Sequence, residues 1–580
     1  MTFTDIANKY NKLKLFFPIL LIIVCFANTL GYDFVYDDNY QIVEASKALS
    51  DLSKENLIRL FDRDIWGFFK QHFESDIKTH SSYYRPIFGL IYIFNYQYGE
   101  LNPFAWHLTS VILHIFAVLL AYKLIKDSLQ MIGQDKELAS WMSLITTLCF
   151  AIHPVQTESV AWVASYVNAL TSIFIFSSLI FYLKLDNSSL LWLIPSSLFY
   201  MLALLSKEAA IILPILLIVY ELFIIPNNLN LLARLFQTFL RSTPFIITTI
   251  IYFYIRILVF GAITPATVDT NFSSLEKPSF IVLLLSLPKL FLTYLKLLIW
   301  PISSSPIYSF SLVNKASLSF YLALIFLFLL IALAIFLSYK HKIVILAISY
   351  LIIPLLPVLN IRFFKLEDLV HDRYLYLSTI GFGLLIAFLL YSLNNYLLKK
   401  QNSLKQVHSL ILVLIFLLIS FSSFITIKQN QVWASDWHFW STCYKSFPNS
   451  CITNLELGRL NEELKKDDQL ALIYYLQAKK VCPDSLMLSY KLALLYGRNN
   501  DLTNSELEFQ NVLRNTKNRF ILSTAYFNLG FINEKRGSLD KALELYQTGL
   551  KLNPTGQNSQ QVQAIIKELT ENLSSKTQEK

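Results

Sequence analysis

Residues 525–554 read AYFNLGFINEKRGSLDKALELYQTGLKLNP, and the spacing inside this stretch sets the architecture of the carboxy-terminal end. Leu529-Gly530 is followed at helix-pair distance by Ala542, then by Tyr546, and the stretch closes on Asn553-Pro554. Small residues where two helices touch, and a proline where the second one stops, mark a repeating helical hairpin. Earlier copies open in the same way at Leu457-Gly458 and Leu492-Ala493. The first carries one extra residue between Gly458 and Ala471, and the second has Ala493 in place of glycine, so the stack is expected to be irregular. One hairpin cannot bury its apolar face alone; about three stacked copies can, and they leave a concave groove suited to an extended peptide. The region of Trp433, Trp437 and Trp440 is expected to help bury the first copy. The polar tail from Gly556 to Lys580 should begin as a capping helix and then fray.

Ahead of the repeats the chain changes character. Its 580 residues are 54% hydrophobic and only 15% charged, with 45 Phe and 32 Tyr, and the mean hydropathy is +0.47. A soluble domain could not hide that much apolar surface, so most of the chain reads as a polytopic membrane protein. The net charge of +9 comes from short Lys and Arg clusters between apolar runs. That distribution orients spans in a bilayer and argues against nucleic acid as a partner. Of the five cysteines, Cys25 and Cys149 lie in apolar runs, while Cys443, Cys451 and Cys482 flank the repeats without metal-ligand spacing. A Cys451–Cys482 bridge is open to the chain if the repeats face an oxidising compartment.

Hydropathy and breakers lay out spans at 13–30, 104–125, 139–153, 160–184, 190–205, 209–223, 243–261, 318–339, 343–359, 374–391 and 410–427, about eleven crossings. The first apolar run has no small-residue cleavage site and reads as an anchor. The segment from Phe280 to Trp300 is long enough to cross but holds Pro288, Lys289 and Lys296. If it lies in the interface, Lys9, Lys12 and Lys14, Lys123 and Lys126, Lys184, Arg234 and Arg241, Lys340 and Lys342, and Lys399 and Lys400 all share one side, as the positive-inside rule requires. The expected topology therefore has a cytoplasmic amino terminus and extracytoplasmic repeats. Short glycosylation sequons at Asn271 and Asn572 fall on the outer side.

In this topology the ionisable residues gather on the outer face. The first outer loop, residues 31–103, holds Tyr36-Asp37-Asp38-Asn39 and Tyr83-Tyr84-Arg85-Pro86. Later turns hold His153-Pro154 through Thr157-Glu158, then Ser206-Lys207-Glu208, then His371-Asp372-Arg373-Tyr374, and Arg256 sits about a turn below the outer end of its span. Such groups are costly beside hydrocarbon and tend to line a wet cavity or pair with one another. Adjacent carboxylates offer a base for a hydroxyl acceptor, and nearby Arg and Lys can hold a departing phosphate. Oxygen ligands of this kind also suit a divalent cation, magnesium or manganese. Phosphate-binding glycine loops, Ser-His-Asp spacing and zinc signatures are missing, which turns the reading away from nucleotide hydrolysis, triad hydrolysis and zinc chemistry.

Taken in order, Phe34-Val35-Tyr36-Asp37-Asp38, Tyr84-Arg85-Pro86, Asn102-Pro103-Phe104 leading to His114, His153-Pro154 with Thr157-Glu158 and Ala161-Trp162-Val163, Lys207-Glu208, and Arg373-Tyr374-Leu375-Tyr376-Leu377 form a series. With the repeats behind it, this series resembles the transmembrane and tetratricopeptide-repeat-containing (TMTC-type) family over nearly the whole chain. The resemblance implies a GT-C class membrane glycosyltransferase, some relatives moving mannose from a polyprenyl-phosphate donor to Ser or Thr of proteins. It makes Asp37 or Asp38 the acceptor-activating carboxylate and Arg85, Lys207, Arg256 and Arg373 the donor-phosphate ligands. His153, Glu158, Glu208, Tyr374 and Tyr376 would support them. The chain departs from the family pattern at Ser165-Tyr166-Val167-Asn168, where many relatives carry Gly-Arg-x-Asp, and at Ser378, where they carry Pro.

The expected fold is all-α: a polytopic helical bundle over 1–430 and a tetratricopeptide α-solenoid over 431–580. The expected activity moves a sugar from a polyprenyl-phosphate donor to a hydroxyl on protein or glycan at the outer face, with the repeats binding a peptide or protein partner. The rival readings are a membrane-anchored repeat scaffold without catalysis, for which the outer-loop charges would be dispensable, and a transporter or flippase for a lipid-linked sugar, for which a charged path would continue toward the cytoplasmic face.

Overall fold

The computed structural model describes residues 15–69, 81–185, 190–262, 279–302, 305–308, 310–359, 369–400, 403–556 and 558–578. Lys9, Lys12, Lys14, the start of the first span at Leu13 and the sequon at Asn271 lie outside them. All regular structure among the described residues is helical, with no strand, and they fall into two compact units divided between Thr442 and Cys443.

In the first unit the apolar runs form α1 (Phe16–Phe26), α2 (Pro86–Gly99), α3 (Pro103–Met131), α4 (Lys136–Ile152), α5 (Val167–Tyr182), α6 (Leu193–Ser206), α7 (Leu213–Val219), α8 (Leu231–Phe260), α9 (Phe280–Ile299), α10 (Leu318–Lys340), α11 (Lys342–Ile352), α12 (Ser378–Lys400) and α13 (Leu404–Asn430). Among the described residues, seven helices are long and apolar enough to cross a membrane, or eight when α4 and the short helix after its 53° bend count as one. Shorter apolar helices cover 16–31, 193–206 and 342–355. Ten of the eleven expected spans fall on these helices; 209–223 is instead broken into a 3-10 turn, the seven-residue α7 and a π turn, and α9, expected in the interface, is among the seven long and apolar enough to cross. Helix α8 begins at Leu231, well before the expected Thr243, because the arginines of its first turns find partners. Arg241 reaches the Glu221 carboxylate at 3.0 Å, and Arg234 reaches the Glu221 carbonyl at 2.8 Å.

Small residues set the closest helix crossings. A Cβ added to Gly381 would sit 2.3 Å from the Ala347 carbonyl oxygen of α11, and one added to Gly383 would sit 2.7 Å from that of Thr146 in α4. Helix α12 is thus wedged between two neighbours at backbone distance. Helix α9 buries Leu290, Tyr294 and Leu298 against Val155, Leu355 and Leu375, which belong to turns joining the spans. The Tyr294 hydroxyl donates to the Leu369 carbonyl at 2.6 Å.

α14 (Asp436–Ser446) runs across the boundary of the units. Beyond it the second unit stacks α15 (Cys451–Leu460), α16 (Asp468–Val481), α17 (Leu486–Arg498), α18 (Leu502–Asn515), α19 (Arg519–Lys535), α20 (Leu539–Leu552) and α21 (Ser559–Gln578). The small residues of the repeat seat an aromatic ring from the partner helix: a Cβ on Gly458 would meet Tyr475 at 2.4 Å, and one on Gly530 would meet Tyr546 at 2.8 Å. Where Ala493 replaces glycine, it packs in one cluster with Phe509. The extra residue of the first copy is absorbed by a π-turn at Asn461–Lys465 closed by Lys466 at φ 55°. Cys451 and Cys482 are disulfide-bonded, joining the start of α15 to the end of α16. Trp433 and Trp440 differ from the expectation, because their rings are buried against Trp162 and Tyr36 of the first unit.

Candidate active site

A cavity of about 640 Å³ opens where the turns of the first unit converge. Asp37, Arg85, Lys207, Glu208, Arg256, Arg373, Tyr374 and Tyr376 all line it, so charges from five separate stretches of sequence share one space. The rest of its lining is largely apolar and aromatic, including Trp66, Phe88, Trp162, Ile212 and Val358, with Gln41, Ser165, Asn168 and Thr171 among the polar side chains. A polar end continuous with an apolar wall fits an amphiphile with an anionic head.

The two adjacent acids part company. Asp37 faces the cavity, whereas Asp38 is 1% exposed and its carboxylate accepts hydrogen bonds from the amides of Ala164 at 2.7 Å and Val35 at 3.3 Å. Burial pushes the Asp38 carboxyl well above its usual range against the pull of those two amides, and the charges of Asp37 and Asp436 push the same way. Asp38 therefore ties the first outer loop to the turn before α5.

The turn carrying Asp37 is held from behind. Tyr36 adopts a left-handed φ of 58°, a costly conformation for a residue with a Cβ. Its amide donates to Asp436 Oδ1 at 2.8 Å, and the Asn39 carboxamide donates to Asp436 Oδ2 at 3.1 Å. The Tyr36 ring stacks on Phe439 at 5.1 Å and meets Trp440 and Trp162 at 5.6 and 5.9 Å. Trp162 in turn stacks on Trp433 and lies under the Arg373 guanidinium at 5.4 Å.

The cations fall into two kinds. Arg85 makes a two-point contact with Glu208 at 2.6 and 3.0 Å, and Arg373 contacts Glu158 through its Nη1 at 2.5 Å and its backbone amide at 2.9 Å. Burial would raise the Glu208 carboxyl, but the charge and hydrogen bonds of Arg85 outweigh it and hold the group at about 2. Lys207 rests instead on a neutral oxygen, its Nζ on the Asn168 carboxamide at 2.6 Å, while the contacts of Arg256 include the Ser82 carbonyl at 3.0 Å and the Tyr252 hydroxyl at 3.3 Å.

His153 stands apart from the cavity. Its Nε2 meets the Leu298 carbonyl at 2.9 Å and its Nδ1 accepts from the Val155 amide at 3.3 Å, which fastens α9 to the bend after α4. Glu158 acts through Arg373 and lies 3.3 Å from His371 Nδ1. Tyr376 contributes its ring to the wall and its hydroxyl to His114 Nδ1 at 2.7 Å. No three His, Cys, Asp or Glu side chains among the described residues are grouped as a metal would require. Asp37 faces the cavity while Asp38 turns onto the Ala164 and Val35 amides, so the two adjacent carboxylates do not converge on one point. Sequence reasoning missed Asp436 and Asn168 as parts of the site. Asp436 reads as an ordinary acid at a helix start, and Asn168 reads only as a departure from the Gly-Arg-x-Asp of many relatives, with nothing in the sequence to set it against Lys207.

A tetratricopeptide-repeat family profile matches residues 523–555. Human protein O-mannosyl-transferase TMTC3 is 25% identical over 575 residues, covering 92% of this chain and 60% of that protein. Mouse protein O-mannosyl-transferase TMTC4 is 26% identical over 428 residues, 65% of this chain and 56% of that one. Xenopus laevis protein O-mannosyl-transferase tmtc2 is 31% identical over 209 residues, 35% and 23% of the two chains. The chain thus spans about 60% of the length of human TMTC3. With its apolar helices and its carboxy-terminal repeats, the chain is a homologue of the TMTC-type transmembrane and tetratricopeptide-repeat-containing proteins over most of its length.

Proposed function

We propose that this protein is a membrane glycosyltransferase of the GT-C class that moves a sugar, mannose by analogy with its relatives' names, from a polyprenyl-phosphate donor to a hydroxyl on protein. The observation that carries this reading is the shared cavity: Asp37 and four cationic side chains line one space, the other lining carboxylate, Glu208, being held by Arg85, and much of the remaining lining is apolar, as a lipid requires. Asp37 takes the proton of the acceptor hydroxyl as that oxygen bonds to the sugar's anomeric carbon. The bond from that carbon to the phosphate oxygen breaks, and its electron pair leaves with the phosphate, whose second negative charge the cations stabilise. Attack and departure on opposite faces of the sugar invert its configuration. No step here is routed through a metal.

The reaction is assigned to the exoplasmic face. The Cys451–Cys482 disulfide supports repeats in an oxidising compartment, and the Lys and Arg clusters on the other side of the spans support a cytoplasmic amino terminus. Helix α9, packed against the inter-span turns, supports its placement along the outer boundary. The repeats then present acceptor or partner protein to the site.

The test is transfer in proteoliposomes from a panel of polyprenyl-phosphate sugars to a Ser/Thr-containing peptide, comparing wild type with Asp37→Asn. Loss of transfer at equal incorporation is expected. Undiminished transfer by Asp37→Asn removes the proposed base, and a wild type inert with every donor favours the scaffold reading.

A further inference from the structure

Charge pairing inside the cavity separates the four cations. Arg85 and Arg373 are each committed to a carboxylate, whereas Lys207 lies in the turn between α6 and α7 with its Nζ on an uncharged carboxamide. The orientation of that carboxamide is fixed. Asn168 Nδ2 donates to the Ser165 carbonyl and hydroxyl at 2.9 Å each and to the Ser159 hydroxyl at 3.2 Å, which leaves only Oδ1 to face the lysine. Among the described residues the Lys207 ammonium thus meets the Asn168 carboxamide oxygen and forms no ion pair of its own.

We infer that Asn168 holds Lys207 as a proton-accepting phosphate ligand, so that Lys207 takes up a proton as the bound phosphate passes from singly charged diester to doubly charged monoester. This rests on the proposed donor class. In the transfer step the acceptor proton goes to Asp37, the sugar–phosphate bond breaks, and the phosphate gains a charge; the proton that Lys207 acquires comes from water. A ligand that becomes cationic as the leaving group becomes dianionic binds the departing phosphate more strongly than the donor, which is how a binding group accelerates a reaction.

The groups facing Lys207 agree with this role. Burial and the charges of Arg85 and Arg373 lower the ammonium to about 7, while Glu208 and Glu158 oppose the shift. Asp37, Arg256 and Tyr252 share the same cavity. Asn168 is a positioning residue here. An aspartate at 168 would set a full negative charge against Lys207 and keep it protonated before any ligand arrived.

Isothermal calorimetry on the full-length protein in detergent tests this, run at pH 8 in buffers of different ionisation enthalpy. The probes are farnesyl phosphate, a monoester, and its methyl diester. Wild type is expected to take up about 0.8 proton with the monoester and roughly half that with the diester. Asn168→Asp and Lys207→Arg are both expected to bind the monoester with uptake below about 0.3 proton, because the cation is already present. Lys207→Arg keeps the test decisive should Asn168→Asp not fold. Binding by wild type without proton uptake overturns the inference and leaves the phosphate-donor reading standing. Undiminished uptake by Asn168→Asp overturns the role of Asn168. No binding of either probe by wild type removes the donor reading, and this inference with it.

Discussion

A carboxylate serves as a base only if it is open to the acceptor, and at the Asp37-Asp38 turn the backbone decides which side chain is. The left-handed Tyr36 rotates Asp37 into the cavity and turns Asp38 onto the Ala164 and Val35 amides. The two substitutions should therefore separate. Asp37→Asn is expected to lower kcat about 10²–10⁴-fold with a native melting temperature. Asp38→Ala, which strands two buried amides, is expected to cost about 1–3 kcal/mol, read by thermal unfolding. Lys207 should show the opposite trade. Its folded value near 7 lies below that of an unfolded lysine, so folding sheds a proton and stability rises with pH between about 7 and 10.5. Lys207→Met is accordingly expected to raise the melting temperature at neutral pH while weakening phosphate binding, and a lower melting temperature would contradict this. That charged residues would cluster at span ends was legible, since hydrocarbon excludes them. The different fates of Asp37 and Asp38 were not, because they depend on the Tyr36 backbone and on Asp436, 400 residues away from Tyr36.

Helices report where local pattern is sufficient and where it is overruled. The repeat was readable because a ring from one helix needs a small residue on the other, and the Gly458–Tyr475 and Gly530–Tyr546 contacts repeat that demand at nearly fixed spacing. The start of α8 was not readable, since its arginines look like loop residues until Glu221 is brought against them. Helix α12 owes its seat to Gly381, and Gly381→Ala is expected to destabilise the bundle by about 1–3 kcal/mol through overpacking against α11, visible as reduced yield of monodisperse protein in detergent. In the second unit the disulfide closes the first hairpin. Cys451→Ser with Cys482→Ser is expected to cost about 2–4 kcal/mol, measured as an earlier unfolding transition or faster proteolysis of the repeats in the full-length protein.

For the whole molecule, orientation is the property on which the proposed reaction depends most. A protease added outside sealed exoplasmic-face-out vesicles is expected to remove a carboxy-terminal tag and spare an amino-terminal one until detergent is added; the reverse pattern would place Asp37 on the wrong side for the proposed donor. The apolar runs were legible in sequence because hydropathy is a local feature, whereas the gathering of five stretches into one cavity is a property of the folded bundle. The grip of Asp436 on the Tyr36 turn has one more consequence, for the order of synthesis. The nascent chain delivers the turn early and its clamp only 400 residues later, so at ribosomal rates the loop waits roughly 20–80 s. Through that interval the emerging polypeptide carries an acid that nothing yet aims. For the proposed transferase, the base is aimed only after the chain has passed its final span and reached Asp436, so half-built copies would leave the donor untouched.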